Sequence, residues 1–372
     1  MKSHSPENER IKRRYFEFLR EAKRQNDQSV DIVAKALARF EGYTKYRDFK
    51  SFHHSQAVGF KNHLAGQLNA RTGETLSKAT LHSTLAHLKR FFQWLAEYPG
   101  YRSKFSFGDA EYFNASEKDV RIASAKRDQR APNVEQINFT LTSMPSTSDI
   151  DRRNRALVAF TLLTGARDSA IASLKLEHID LTTGCVRQDA REVKTKFSKT
   201  FTTYFFPVES EARAIVEAWV RFLREVKLWG LDDPLFPATL VRYGESRQFE
   251  AAGLDRKCWS NAARIRKIFR EAFEGAGLPT FNPHSFRNTL VQLGERLCKS
   301  PKDFKAWSQN LGHEQVLTTF LSYGQVSPSR QAEIIRGIGS TKSAEAPDPA
   351  FAAMVMRVIS ENGGNLRSAA PG

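Results

Sequence analysis

The residues of this chain best suited to chemistry are cations and one phenol. Arg167 stands two positions after Gly165 in TGARDSAIASLKL, and Lys194, Lys196 and Lys199 crowd one polar stretch. His284 and Arg287 share HSFRNTL, His313 closes LGH, and Tyr323 ends TTFLSY ten positions later. No glycine-rich phosphate loop, serine-hydrolase elbow or carboxylate cluster suited to two metal ions accompanies them. Such a set fits transfer of a DNA phosphoryl group without a metal. The transition state is rich in negative charge, so preorganised donors must take the place of a metal ion. Two arginines each offer a fork to the non-bridging oxygens. Two histidines donate hydrogen bonds and move protons. A lysine protonates the departing 5′ oxygen. A tyrosine attacks, its pKa of ~10 lowered by the positive charge around it. Any one of these motifs alone is weak, since glycine at a helix end is ordinary capping and a lone tyrosine is usually packed or solvated. Their joint occurrence carries the reading.

The segments TGARDSAIASLKL, HSFRNTL, LGH and TTFLSY resemble, in order, the boxes of the tyrosine recombinases, the phage integrase family. That pattern is an arginine box TGxR, a hairpin lysine, HxxR, an LGH box and a tyrosine shortly downstream. The resemblance extends over roughly residues 40–337. It implies that Arg167 is the first catalytic arginine, His284 and Arg287 the HxxR pair, and His313 the second histidine. Tyr323 would be the nucleophile, forming a 3′-phosphotyrosine bond to DNA. Family members often carry two turn lysines three apart with the first catalytic, which favours Lys196 as general acid, then Lys199, then Lys194. The resemblance also implies double-stranded DNA as partner, a homotetramer on two DNA sites, no metal or nucleotide cofactor, and C-terminal segments exchanged between protomers. Two departures stand out. Ala170 occupies a position that is commonly acidic, and Asp168 nearby is expected to face elsewhere on a helix. The interval from His313 to Tyr323 is ten where nine is commoner, which predicts a loop or helix irregularity between 314 and 322.

The elements that must position these residues follow from periodicity. Apolar residues at helical spacing predict helices over 7–26, 29–41, about 55–70, and 77–97, where Ser77 or Thr80 is placed to cap. Residues 121–135 are polar, basic and broken by Pro132, as a linker is. Beyond it, 152–164 reads as an apolar-faced helix ending at Gly165, followed by a short helix and an extended exit. Residues 185–207 read as two strands joined by a turn near Phe197 and Ser198 that carries the lysines. Helices resume at 209–227 and 259–276, with a long connection over 230–256 between them. HSFR and LGH are each expected to open a helix, Arg264, Arg266, Lys267 and Arg270 to form a basic face, and 349–361 a short amphipathic helix. The expected fold is mainly α. A helical N-terminal core-binding domain (1–125) and a linker (126–135) precede a mostly helical catalytic domain with a small antiparallel sheet (136–338), and a tail carrying the short helix follows (339–372).

Charge agrees with a polyanionic partner. Lys and Arg total 57 against 41 Asp and Glu, a net of +16, spread as +8 over residues 1–125 and +8 over 126–372. Cys185, Cys258 and Cys298 lie far apart without zinc spacing, and a disulfide framework is excluded. No apolar run approaches the ~18 residues of a membrane span and no signal peptide opens the chain, so a cytoplasmic, reducing location is expected. Taken together these features read as a site-specific tyrosine recombinase. The alternatives are a type IB topoisomerase-like enzyme and, because of Ala170, a DNA-binding regulator or architectural protein with a degenerate site.

Overall fold

The computed structural model describes residues 4–69, 72–125, 130–243 and 248–313. The chain divides into two compact units, Met1–Lys126 and Arg127–Gly372.

The first unit is helical: α1 (Pro6–Glu21), α2 (Asp27–Thr44), α3 (His54–Ala65), α4 (Lys78–Glu97) and α5 (Glu117–Ser124). Ser5, Asn26, Ser77 and Ser116 start four of these helices by accepting a first-turn amide hydrogen with a side-chain oxygen. The apolar stripes meet in an aromatic centre. Phe40 packs against Phe52, Phe60, Phe92 and Phe113 edge to face, with ring centroids 5.2 to 6.2 Å apart. Buried Asn8 binds Glu41 and the Arg47 carbonyl and accepts from the Phe49 amide, which ties α1 to the end of α2.

The second unit carries the chemistry. It runs α6 (Val134–Ser143), α7 (Asp149–Thr164), α8 (Asp168–Ile171), β1 (Ile179–Asp180), β2 (Cys185–Gln188), β3 (Phe201–Tyr204) and α9 (Ala212–Arg221). A ribbon of β4 (Ala238–Tyr243) and β5 (Phe249–Asp255) follows, then α10 (Ala263–Gly275), α11 (Pro283–Leu297) and α12 (Pro301–Asn310). Every residue of α7 from Ala156 to Thr164 is buried, so this helix is the axis on which α6, α9 and α11 pack. β1, β2 and β3 form an antiparallel sheet in that order, with Val186 opposite both Ile179 and Thr203. The mainly α architecture with small antiparallel sheets is the one expected.

Two local expectations are corrected. Residues 230–256 are not simply a long connection, because the β4–β5 ribbon lies within them with Tyr243 opposite Phe249. β2 and β3 pair antiparallel as the expected two strands, but each is only four residues long, so the lysines sit on a long loop that crosses from one strand to the other, with a single 3₁₀ turn at Lys196–Ser198. Leu311, Gly312 and His313 follow α12 directly, with their amides donating back to carbonyls of its last turn, and the helix that LGH is expected to open lies outside the described residues. Among the described residues, no helix is long and apolar enough to cross a membrane.

Candidate active site

The buried half of the site is built around Gly165. This residue ends α7 at φ +57°, a conformation that favours glycine. A Cβ here would lie 2.9 Å from both Leu290 and Leu311, so its absence lets the end of α7 touch α11 and the turn after α12. Arg287 occupies the junction. It lies in the second turn of α11, which Asn282 caps and Pro283 opens, and it is 2% exposed. Its Nη1 donates to the Gly165 carbonyl at 2.6 Å, and its Nη2 donates to the Leu311 carbonyl at 2.6 Å and to His313 Nε2 at 2.9 Å. A guanidinium can only donate, so His313 Nε2 accepts and the proton of the neutral ring sits on Nδ1. His313 is itself buried. Burial, followed by the charges of Arg287 and Arg167, pushes its pKa down to about 3, so the imidazole is a neutral donor at working pH.

The open half faces solvent. Arg167 immediately precedes α8 and is half-buried, and His284 is the exposed second residue of α11. Together with Asp168, Arg266, Asn282 and Pro283 they line a cavity of about 360 Å³. Protein cover over part of the His284 ring lowers its pKa, Arg287 and Arg167 lower it further, and Asp168 opposes them. Asp168 does not face away from the site, as the helical pattern suggested. It lines this cavity and accepts from Arg266 Nε at 2.6 Å. Ala170 is 1% exposed in the hydrophobic core, so the commonly acidic position is apolar here. Of the basic face on α10, Arg266 thus belongs to the cavity, while Lys267 pairs with Glu271 along its own helix.

The three lysines separate. Lys194 donates its backbone amide to Ser173 Oγ at 2.9 Å and its Nζ to the Ser260 carbonyl at 3.3 Å, away from the histidines. The charge of Lys196 reaches His284 and that of Lys199 reaches His313, so the crossover delivers one lysine toward each half. Arg167, Lys196, His284, Arg287 and His313 are thereby brought into one neighbourhood. Tyr323, the expected irregularity over 314–322 and the helix over 349–361 lie outside the described residues. Sequence reasoning missed Asp168 and Arg266 as a pair lining the cavity. Their separation of 98 positions leaves no local signal.

One trio, Glu177, His178 and Glu192, presents three ligand atoms close enough for a metal ion. The hydrogen bonding of His178 argues against that use. Its Nδ1 accepts the Lys175 amide hydrogen at 2.9 Å, so its proton sits on Nε2, which faces Glu192 at 2.8 Å. A neutral ring bonded in this way has no lone pair to give a cation. The His178–Glu192 pair ties the turn after α8 to the start of the lysine loop.

Solved structures with this fold include XerH site-specific recombinase bound to palindromic difH substrate in a post-cleavage complex. The similarity has a TM-score of 0.57 at 18% identity, covering 86% of this chain and 82% of that one. A lambda integrase tetramer bound to a Holliday junction is similar at a TM-score of 0.53 and 13% identity, covering 84% and 78%. In sequence, tyrosine recombinase XerC of Lactobacillus delbrueckii subsp. bulgaricus is 22% identical over 252 residues, 67% of this chain and 72% of that protein. The model of the phage integrase family matches residues 130–330. The chain belongs to that family. It is a site-specific recombinase of the tyrosine class, an enzyme that cleaves and rejoins DNA strands.

Proposed function

We propose that this recombinase binds double-stranded DNA and cleaves it through a 3′-phosphotyrosine bond at Tyr323, with Arg167, Lys196, His284, Arg287 and His313 completing the site. Tyr323 loses its phenolic proton to solvent, its oxygen attacks the scissile phosphorus, and the bond from phosphorus to the 5′ oxygen breaks. The ammonium of Lys196 gives its proton to that departing oxygen. Rejoining reverses these steps with the 5′ hydroxyl of a strand as nucleophile, so the phosphodiester energy is kept and no nucleotide is spent. Arg167 and Arg287 stabilise the negative charge on the non-bridging oxygens, and His313 donates from Nδ1. His284 borders the open cavity, where it can donate to the same phosphate.

The observation that carries this reading is the convergence on Arg287. One guanidinium joins the end of the TGxR helix, the HxxR helix and the LGH turn, three segments up to 148 positions apart in the chain from Gly165 to His313. A protein that only bound DNA would have no chemical need for buried Arg287 to meet a histidine held neutral. The net charge of +16 supports binding to the phosphate backbone. The lambda integrase tetramer on a Holliday junction supports a homotetramer on two sites for this chain as well. The test is covalent capture in EDTA. Wild-type protein is mixed with nicked duplexes of random sequence, denatured, and the DNA bound to protein is recovered. Recovery that disappears in Tyr323→Phe supports the reading. Equal recovery in Tyr323→Phe removes the nucleophile assignment, and adducts that need added metal remove the metal-free mechanism.

A further inference from the structure

The crossover that carries the lysines is fixed at its upstream end by Val193, 2% exposed in the core, and by the Lys194 amide on Ser173. Its downstream end is β3, which pairs with β2 and is tied to the end of α12. Asn310 Oδ1 accepts the Tyr204 amide hydrogen at 2.7 Å, and Asn310 Nδ2 donates to the Tyr204 carbonyl at 2.8 Å. The carboxamide therefore pairs with the outer edge of β3 as a neighbouring strand would. The Asn310 carbonyl accepts from Thr203 Oγ1 at 3.1 Å, and Thr203 Oγ1 accepts from Gln188 Nε2 on β2 at 3.1 Å. Thr203 and Gln188 are 1% and 2% exposed, so these polar atoms depend on one another. Phe201 completes the junction. Its ring lies 2.7 Å from where a Cβ on Gly312 would stand, and Gly312 has φ +72°. Phe201, Thr203 and Tyr204 of β3 are thus docked against Asn310 and Gly312, just ahead of His313.

We propose that Asn310 is a positioning residue for strand cleavage, holding β3 and the lysine crossover in register with His313. The inference rests on the reading that a lysine of this crossover is the general acid. Asn310 touches neither the phosphate nor the lysine in this scheme and acts only through β3. Tyr204 is 58% exposed, so water can take over both bonds when the carboxamide is lost. Loss of Asn310 should then displace the crossover rather than unfold the unit. A displacement of ~1 Å at a reacting group can cost ~100-fold in rate.

The discriminating test uses the leaving group. A nicked duplex recovered by covalent capture with the wild-type full chain is resynthesised with either oxygen or sulfur at the 5′ bridging position of the scissile phosphate. A thiolate departs without a proton, so a defect in general-acid delivery vanishes on the sulfur duplex. Asn310→Ala is expected to cleave the oxygen duplex roughly 10- to 100-fold more slowly than wild type and the sulfur duplex at about the wild-type rate. Asn310→Asp keeps the acceptor for Tyr204 and loses the donor, so it should fall between, and it is the variant to read if Asn310→Ala does not fold. A defect equal on both duplexes, or none on either, overturns the positioning role. Lys196→Ala and Lys199→Ala run beside them judge the underlying reading separately. If neither lysine defect is relieved by sulfur, the general acid is not on this crossover, whatever Asn310 does.

Discussion

The two arginines of the site are built in opposite ways. Arg287 lies under the surface and bonds to two backbone carbonyls and a histidine of its own chain, whereas Arg167 borders an open cavity with His284. A buried cation without its partners would be expensive, so Arg287 and its acceptors must fold as one unit. Arg167 is half-buried, so solvent reaches it. One half of the proposed site is therefore part of the protein's framework, and the other is open to solvent. Under the proposed function, the buried arginine carries structure as well as chemistry.

The largest expected contrast is between two alanine variants. Arg287→Ala leaves the buried Gly165 and Leu311 carbonyls unsatisfied and should cost roughly 3 kcal/mol or more in unfolding free energy together with all cleavage. Arg167→Ala should lower cleavage by about 100- to 1000-fold with a smaller loss of stability than Arg287→Ala and retained DNA binding. Denaturant melts and covalent-adduct yields for both variants decide the matter, and equal stability losses would erase the distinction between the halves. Gly165→Ala comes next. It forces a side chain into a positive φ and against Leu290 and Leu311, so a loss of about 1–3 kcal/mol is expected. Cleavage should fall with stability, since the Gly165 carbonyl is the anchor of Arg287. A variant as stable as wild type would show that the junction is looser than these contacts require.

These two predictions also mark what could be read from sequence. TGxR, HxxR and LGH pointed to residues that the fold brings near one another, and helical spacing marked α4, α7 and α11, because those elements bury long apolar stripes. The β4–β5 ribbon was not legible. Its outer part buries nothing, with Tyr243 66% and Phe249 80% exposed, so alternation there carried no core signal. Asp168 was placed away from the site by helical geometry, but α8 is only four residues long and its partner Arg266 comes from a distant helix. Asn310 had no motif because its partners are backbone atoms of Tyr204.

A third prediction separates the halves by pH. Folded His313 takes a proton only near pH 3, against an ordinary value of 6.5 in an unfolded chain. Between those values the unfolded chain binds more protons, so this contribution to stability is complete above pH 6.5 and is lost as pH falls toward 3. The slope is at most about 1.4 kcal/mol per pH unit for one proton. Urea melts at pH 7 and pH 4.5 should show a smaller difference in His313→Asn than in wild type. An identical difference would mean that His313 titrates normally. The smallest effect belongs to the open half. Because Asp168 raises the pKa of His284, Asp168→Asn should lower it, as read by NMR titration of the ring. Stability should change by less than about 1 kcal/mol, since the Asp168–Arg266 pair is partly solvated. A rise in the His284 pKa would place Asp168 outside its field.

The most direct measurement is on the adduct itself. Protein captured on DNA in EDTA is digested with protease and nuclease, and the peptide bearing a nucleotide is sequenced by mass spectrometry. A nucleotide 3′-phosphate on Tyr323 is the expected result. The same modification on any other residue, or a 5′-phosphate linkage at Tyr323, would contradict the assignment of this site.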